Sequence, residues 1–188
     1  MKERDPHLLK IENIVVSGSV ADSFDLKSLS GTVPGCTLDP KKFPGAVLHM
    51  QDPRSVALIF ASGRVVITGL LTPEDVPVAV RNLVAALTCA DIPCHNEPQV
   101  GIKNMVCSYN LGSPCNLTRI MIALMDTENI EYEPEVFPGL VCRITDPKVV
   151  FLLFSSGKTI ITGGRCREDA VRGVEILKKK LSIVDIKE

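Results

Sequence analysis

The side chains able to make or break bonds are scattered through this sequence. The histidines His7, His49 and His95 have no recurring serine, cysteine or acid around them of the kind a nucleophile and its base require. Seven cysteines, at 36, 89, 94, 107, 115, 142 and 166, form no C-x-x-C pair and no Cys-His spacing suited to zinc, so they read as buried free thiols in a reducing compartment. Gly157-Lys158-Thr159 has the ending of a phosphate loop, yet the glycine such a loop needs five residues earlier is Leu152, and a Ser-Gly hairpin is no helix start. No catalytic residue, metal or cofactor is expected. What remains is contact chemistry: Phe43 and Phe137 each stand in an F-P-G turn, where a ring can lie at a sheet edge beside the phenylalanine of a strand, Phe60 or Phe154. A strand phenylalanine usually fills a core.

The elements that must carry these rings are duplicated. Asp39–Gly69 aligns without a gap on Glu133–Gly163 at an offset of 94, with 15 of 31 positions identical. Upstream, IENIVVS from Ile11 pairs with IKNMVCS from Ile102 at an offset of 91. A tandem duplication predicts one body with a pseudo-two-fold axis. In each copy an opening strand (Ile11 to Ser17; Ile102 to Tyr109) leads to a short helix through Leu26 and Leu29, or through Leu117, Ile120, Met121 and Leu124. Three strands follow: Ala46 to Met50, Ser55 to Ala61 and Arg64 to Thr68, matched by Leu140 to Ile144, Val149 to Ser155 and Lys158 to Thr162. Ser62-Gly63 and Ser156-Gly157 join the last two as tight hairpins. A longer helix closes each copy, the first opened by Thr72 as cap with Pro73 at the first helical position, the second striped by Val171, Val174, Leu177 and Leu181.

Both alternating faces of VALIF (Val56 to Phe60) and VVFLLF (Val149 to Phe154) are apolar, so both faces of the sheet expect cover. About four helices can blanket one face but hardly both. If Ala57 and Ile59 lie under helices, Leu58, Phe60, Val66 and Thr68 share the other face, as do Leu152, Phe154, Ile160 and Thr162. Such a face is an interaction surface or a dimer interface.

Composition narrows the partner. The 188 residues are 45% hydrophobic and 23% charged, a globular composition with a core of ordinary size. A formal charge of −1 gives no overall basic field, so any nucleic-acid contact must rest on local arrangement. The opening MKERDPHLLK is charged where a signal peptide would be apolar, and no apolar run is long enough to span a bilayer; an intracellular protein without membrane contact is expected.

The ordered, twice-repeated pattern of N-I-V or N-M-V, F-P-G, L-I-F or L-L-F, S-G-R or S-G-K, and V-I-T-G or I-I-T-G resembles the conserved core of the TATA-box-binding protein family over Ile11 to Leu181, with YEPEVFPGLV (Tyr132 to Val141) an especially close match. The resemblance implies an α+β fold: a saddle-shaped, curved ten-stranded antiparallel sheet with four helices on the convex face, made of a tail at 1–10 and repeats at 11–97 and 98–188. It implies a general transcription initiation factor that binds and bends A·T-rich promoter DNA through the minor groove. Phe43 with Phe60, and Phe137 with Phe154, are then wedges that prise apart a base step, at a cost of about a few kcal/mol per step. Asn13 and Asn104 donate to adenine N3 and thymine O2, helped by Thr68 and Thr162. Val15, Val106, Leu58, Leu152, Val66 and Ile160 form an apolar floor that a guanine N2 amine would enter unpaired. Arg64, Lys158 and Arg143 contact phosphates, and Glu133, Glu135 and Val136 engage a transcription factor IIB-like protein.

The pattern departs from the family at several places. His49 stands where an arginine is usual, and Glu12 and Lys103 stand where glutamines are usual, which predicts weaker or asymmetric binding; an acid facing a phosphate-lined groove is unfavourable. The second helix of the first copy carries only Arg81 as a cation, which predicts a weak or absent transcription factor IIA-type contact. TATA-binding-protein-associated factors and a homodimer of the free protein stay open as partners. The alternative function is a related adaptor that binds proteins and has lost its TATA preference. The cysteines and the lack of an acidic tail point to a nucleus, with the cytoplasm as the alternative if the source is archaeal.

Overall fold

A computed structural model describes residues 9–125 and 129–182. These form ten strands and four helices, in two compact units. The expected tail, 1–10, lies largely outside the described residues, as does the end of the second repeat beyond 182.

The unit Asn13–Lys103 holds most of β1 (Lys10–Ser19), then α1 (Leu26–Thr32), β2 (Cys36–Leu38), β3 (Ala46–Gln51), β4 (Arg54–Ile59), β5 (Arg64–Leu70) and α2 (Asp75–Thr88). Its strands run antiparallel in the order β2-β3-β4-β5-β1. The other unit joins 9–12 to the residues from Asn104 onward. It holds most of β6 (Gln99–Asn110), with α3 (Leu117–Leu124), β7 (Asn129–Glu131), β8 (Leu140–Ile144), β9 (Val149–Leu153), β10 (Lys158–Gly164) and α4 (Arg167–Leu181), in the order β6-β10-β9-β8-β7.

The core of each unit lies on one face of its strands. Ile14, Val16, Ala57, Ile59, Val65 and Ile67 are fully buried, as are Ala79, Leu83 and Leu87 of α2, which packs on β5. In the other unit Cys107, Phe151, Leu153 and Ile161 take these places under α4. Gly173 lets α4 come close, because a Cβ there would stand 2.9 Å from the Phe151 ring and from Val149. Side chains cap both short helices: Asp25 accepts from the Lys27 N–H and Asn116 from the Arg119 N–H.

Four details differ from the sequence reading. Strands β2 and β7 are three residues each, too short for an alternating pattern to reveal. Helix α2 starts at Asp75 rather than at Pro73; Thr72 Oγ1 accepts from the Asp75 N–H at 3.2 Å, and Pro77 falls in the first turn, where a missing N–H breaks no helical bond. Strands β4 and β9 end at Ile59 and Leu153, so Phe60 and Phe154 open the hairpin turns instead of lying within strands. Each turn closes through a glycine: the Gly63 N–H donates to Phe60 O and the Gly157 N–H to Phe154 O, with φ of 75° and 81°. Finally, Cys36, Cys107, Cys115 and Cys142 are buried as expected, but Cys89 is exposed and Cys94 and Cys166 are half-exposed; none of the seven is in a disulfide.

Candidate nucleic-acid interface

Alternation along the strands puts a second set of side chains opposite the helices. In the first unit Asn13, Val15, Val56, Leu58, Val66 and Thr68 are half-buried and alternate with buried Ile14, Val16, Ser55, Ala57, Ile59, Val65 and Ile67. Register pairs Leu58 with Val66 and Val56 with Thr68. In the second unit Leu152 pairs with Ile160 and Val150 with Thr162, beside Val106 and Asn104. Ile160 is 37% exposed, which for a strand isoleucine means that none of the described residues covers it.

The four rings lie at this surface and are not sealed inside the fold. Phe43 meets Phe60 with ring centroids 5.5 Å apart at 63°, and Phe137 meets Phe154 at 5.9 Å and 65°, both edge-to-face. The F-P-G glycines make room for them. A Cβ on Gly45 would stand 2.7 Å from Cε1 of Phe43, and one on Gly139 would stand 2.6 Å from Cε1 of Phe137.

The asparagines are fixed in orientation by backbone. A bulge in β5 opposite Val15 brings Gly69 to φ 95°, and its N–H donates to Asn13 Oδ1 at 2.8 Å. The Gly163 N–H, at φ 92°, donates to Asn104 Oδ1 at 2.7 Å. Since a backbone N–H can only donate, the oxygen of each amide is assigned and its NH2 must be the group turned elsewhere. Asn13 Nδ2 lies 3.1 Å from Thr68 Oγ1, and Thr162 Oγ1 donates to Asn104 Oδ1 at 3.2 Å. Each half therefore carries a donor NH2 and a hydroxyl in an apolar surround. Gly69 and Gly163 were not among the expected site residues; the signal for them was the glycine that ends V-I-T-G and I-I-T-G in both copies.

The charged residues surround this face unevenly. Arg64 and Lys158 are exposed and sit beside the rings, their carbonyls accepting from the Phe60 and Phe154 N–H groups. Arg143 is held 3.2 Å from Glu131, a pair that any phosphate contact would have to exchange. His49 and Lys103 are exposed. Glu12 differs from expectation: its carboxylate accepts from Lys10 Nζ at 2.8 Å and from Ser108 Oγ at 2.7 Å. Those bonds, Lys10's first, hold its pKa below the ordinary carboxylate value. The acid is thus charged but already matched. Glu133, Glu135 and Val136 form a separate exposed turn between β7 and β8, with Val136 81% exposed. Among the described residues no cluster of His, Cys, Asp and Glu is suited to a metal ion.

Comparison with known proteins gives one answer. The family model for transcription factor TFIID, or TATA-binding protein, matches residues 8–90 and 99–183. TATA-box-binding protein 1 of Methanosarcina acetivorans is 44% identical over 92% of this chain and 94% of its own. The TATA-box-binding protein of Thermoplasma acidophilum is 41% identical over 99% of this chain and 100% of its own. Among solved structures, Methanococcus jannaschii TBP superposes with a TM-score of 0.82 at 39% identity, covering 94% of this chain and 99% of that one. A duplicated sheet with two ring pairs and two glycine-locked asparagines on its uncovered face, matched along nearly its whole length in this way, belongs to the TATA-box-binding protein family.

Proposed function

We propose that the face opposite the helices binds A·T-rich duplex DNA through the minor groove, and that the chain acts as a general transcription initiation factor. The reading is carried by the asparagine geometry. With each Oδ1 held by a glycine N–H, the NH2 of Asn13 and of Asn104 is left to donate, and the minor-groove edge of an A·T pair offers only acceptors. The half-buried valines and leucines around them pair with no polar group, so the N2 amine of guanine would be buried without a partner. Phe43 with Phe60, and Phe137 with Phe154, wedge between base steps, where buried ring area offsets lost stacking. Arg64 and Lys158 anchor phosphates, and Arg143 joins them on exchanging Glu131.

Reading the chain as tandem repeats at 11–97 and 98–188, each repeat serves one half of the site. The turn with Glu133, Glu135 and Val136 is the docking point for a transcription factor IIB-like protein, since a valine left exposed directly after two acids is covered by none of the described residues. Helix α2 offers Arg81 as its one cation, which disfavours a partner that needs a basic helix there. The archaeal relatives favour the cytoplasm as its place of action. No chemical step is assigned to the protein.

The test is end-to-end fluorescence transfer on a doubly labelled A·T-rich duplex. Transfer rises on addition of protein, falls back when one central A·T pair is replaced by G·C, and returns with inosine·C, which lacks the N2 amine. Unchanged transfer at saturating protein would end the proposal.

A further inference from the structure

The two repeats carry matching clefts on the helix side, and the two have diverged. In the first unit a cleft runs between α2 and the start of β6, along Val76, Pro77, Val80, Val84, Pro98 and Val100, with Arg81 and Asn96 as its polar members. At the equivalent place in the other unit a cleft of about 340 Å³ lies between α4 and Leu9. The sequence offsets pair Leu9 with Val100, and Val171 and Val174 with Pro77 and Val80, so the apolar floor is kept. Four positions changed character: Arg167 stands for Pro73, Lys178 for Val84, Tyr109 for Gly18 and Glu175 for Arg81.

Tyr109 is the most deeply buried of the four. Its side chain is 94% buried (6% exposed), it lines the cleft, and its hydroxyl has no hydrogen-bond partner among the described residues. An unpaired buried hydroxyl is costly, so its survival needs a reason. The Lys178 ammonium lies 5.2 Å from the centroid of its ring. Glu175 also lines the cleft and takes the place of Arg81, leaving two cations against one anion there.

We infer that this cleft binds an acidic peptide segment of a partner protein, setting an aliphatic side chain against Leu9, Val171 and Val174 and a carboxylate at Lys178 and Arg167. A carboxylate paired with the Lys178 ammonium sits over the Tyr109 ring, and the buried hydroxyl gains an acceptor as that ammonium is drawn aside. A basic or neutral polar segment gains neither contact. The first cleft, with valine and proline at the matching positions, does not take the same segment. This surface is separate from the nucleic-acid face and does not depend on that reading.

The experiment follows the methyl resonances of Leu9, Val171 and Val174 while the full chain is titrated with acetyl-Asp-Leu-Glu-Ile-Asp-amide. The same peptide with Asn, Gln and Asn in place of its acids is the control. The acidic peptide shifts these methyls and the amide peptide does not. Lys178→Glu weakens the response about tenfold or more, and Tyr109→Phe, which keeps the ring, weakens it severalfold, while both variants bind an A·T-rich duplex as the parent does. Absence of shifts at millimolar peptide, or an equal response to the amide peptide, overturns the inference. A response that appears only after residues 1–8 are deleted also overturns it, because the chain's own N-terminal segment is then the occupant.

Discussion

Truncating Phe154 to alanine separates a ring that serves a partner from a ring that holds the fold. Phe154 is half-buried and its chief aromatic contact is Phe137, whose own ring is 37% exposed. The lost pair is worth about 0.5–1.5 kcal/mol, and partial burial brings the expected cost to folding to about 1–2 kcal/mol. Phe151, three residues earlier on β9 and fully buried under α4, is the internal control; Phe151→Ala should cost about 3–5 kcal/mol. DNA binding reverses the order. If the proposed wedge role holds, Phe154→Ala should relax the kink at that end and lower affinity about 10- to 100-fold, or roughly 1.4–2.8 kcal/mol. A mild Phe151 variant such as Phe151→Leu, compared where it is folded, leaves the bend intact. Urea denaturation gives the stabilities, and end-to-end fluorescence transfer gives bend and affinity from one titration. A Phe154→Ala protein that loses as much stability as Phe151→Ala yet bends DNA normally would refute the assignment of that face.

Three further outcomes follow from the same geometry. Asn13→Asp keeps the acceptor for the Gly69 N–H but replaces the outward donor by an anion, so A·T-rich affinity should fall by about 100-fold or more with the melting temperature nearly unchanged; equal affinity by anisotropy would contradict the donor role. With Arg64, Lys158 and an exchangeable Arg143 as the cationic contacts, log K against log[salt] should have a slope of about −3 or shallower, and a slope implying ten released ions would mean that other cations were missed. Burial pushes the Cys107 thiol from 9.0 to about 11, so the unfolded chain gives up this proton first and stability declines as pH rises from 9 toward 11; thiol labelling of native protein at pH 8 should accordingly reach exposed Cys89 first and Cys107 last, and early modification of Cys107 would break the argument.

Much of this architecture is legible in the chain because its signals are local. Parity along VALIF and VVFLLF separates buried Ala57 and Ile59 from half-exposed Leu58, and does the same for Leu153 and Leu152. Ser-Gly marks both hairpins because a turn of that geometry demands positive φ. What could not be read depends on contacts between segments distant in sequence. Strands β2 and β7 exist because β3 and β8 offer them edges, and three residues have no periodicity of their own. The start of α2 was misplaced because proline is favoured at the first helical position and also allowed later in the first turn, so Pro73 and Pro77 competed for one signal. The Glu12 carboxylate is matched by Lys10, two residues away in the chain, and by Ser108, 96 residues away, and the second partner has no signal in the local sequence.

The glycines carry the last step from sequence to chemistry. An asparagine on an apolar sheet face is ambiguous by itself, since its amide can turn either its oxygen or its NH2 outward and only one of these suits a surface of acceptors. Bulging the neighbouring strand costs ladder hydrogen bonds, and Gly69 and Gly163 hold backbone angles that any other residue would adopt under strain. In exchange a backbone N–H is aimed at Oδ1, and a backbone N–H cannot reverse its role. The choice between donor and acceptor is made in the fold before any ligand arrives, so no free energy of binding is spent on turning the amide. Both repeats keep this arrangement while Glu12 and Lys103, one residue before the two asparagines, differ even in sign. Divergence has been tolerated at the charge beside each amide but not at the device that orients it, as expected if affinity can be adjusted by surrounding charge whereas the identity of the recognised base edge depends on the direction of a single hydrogen bond.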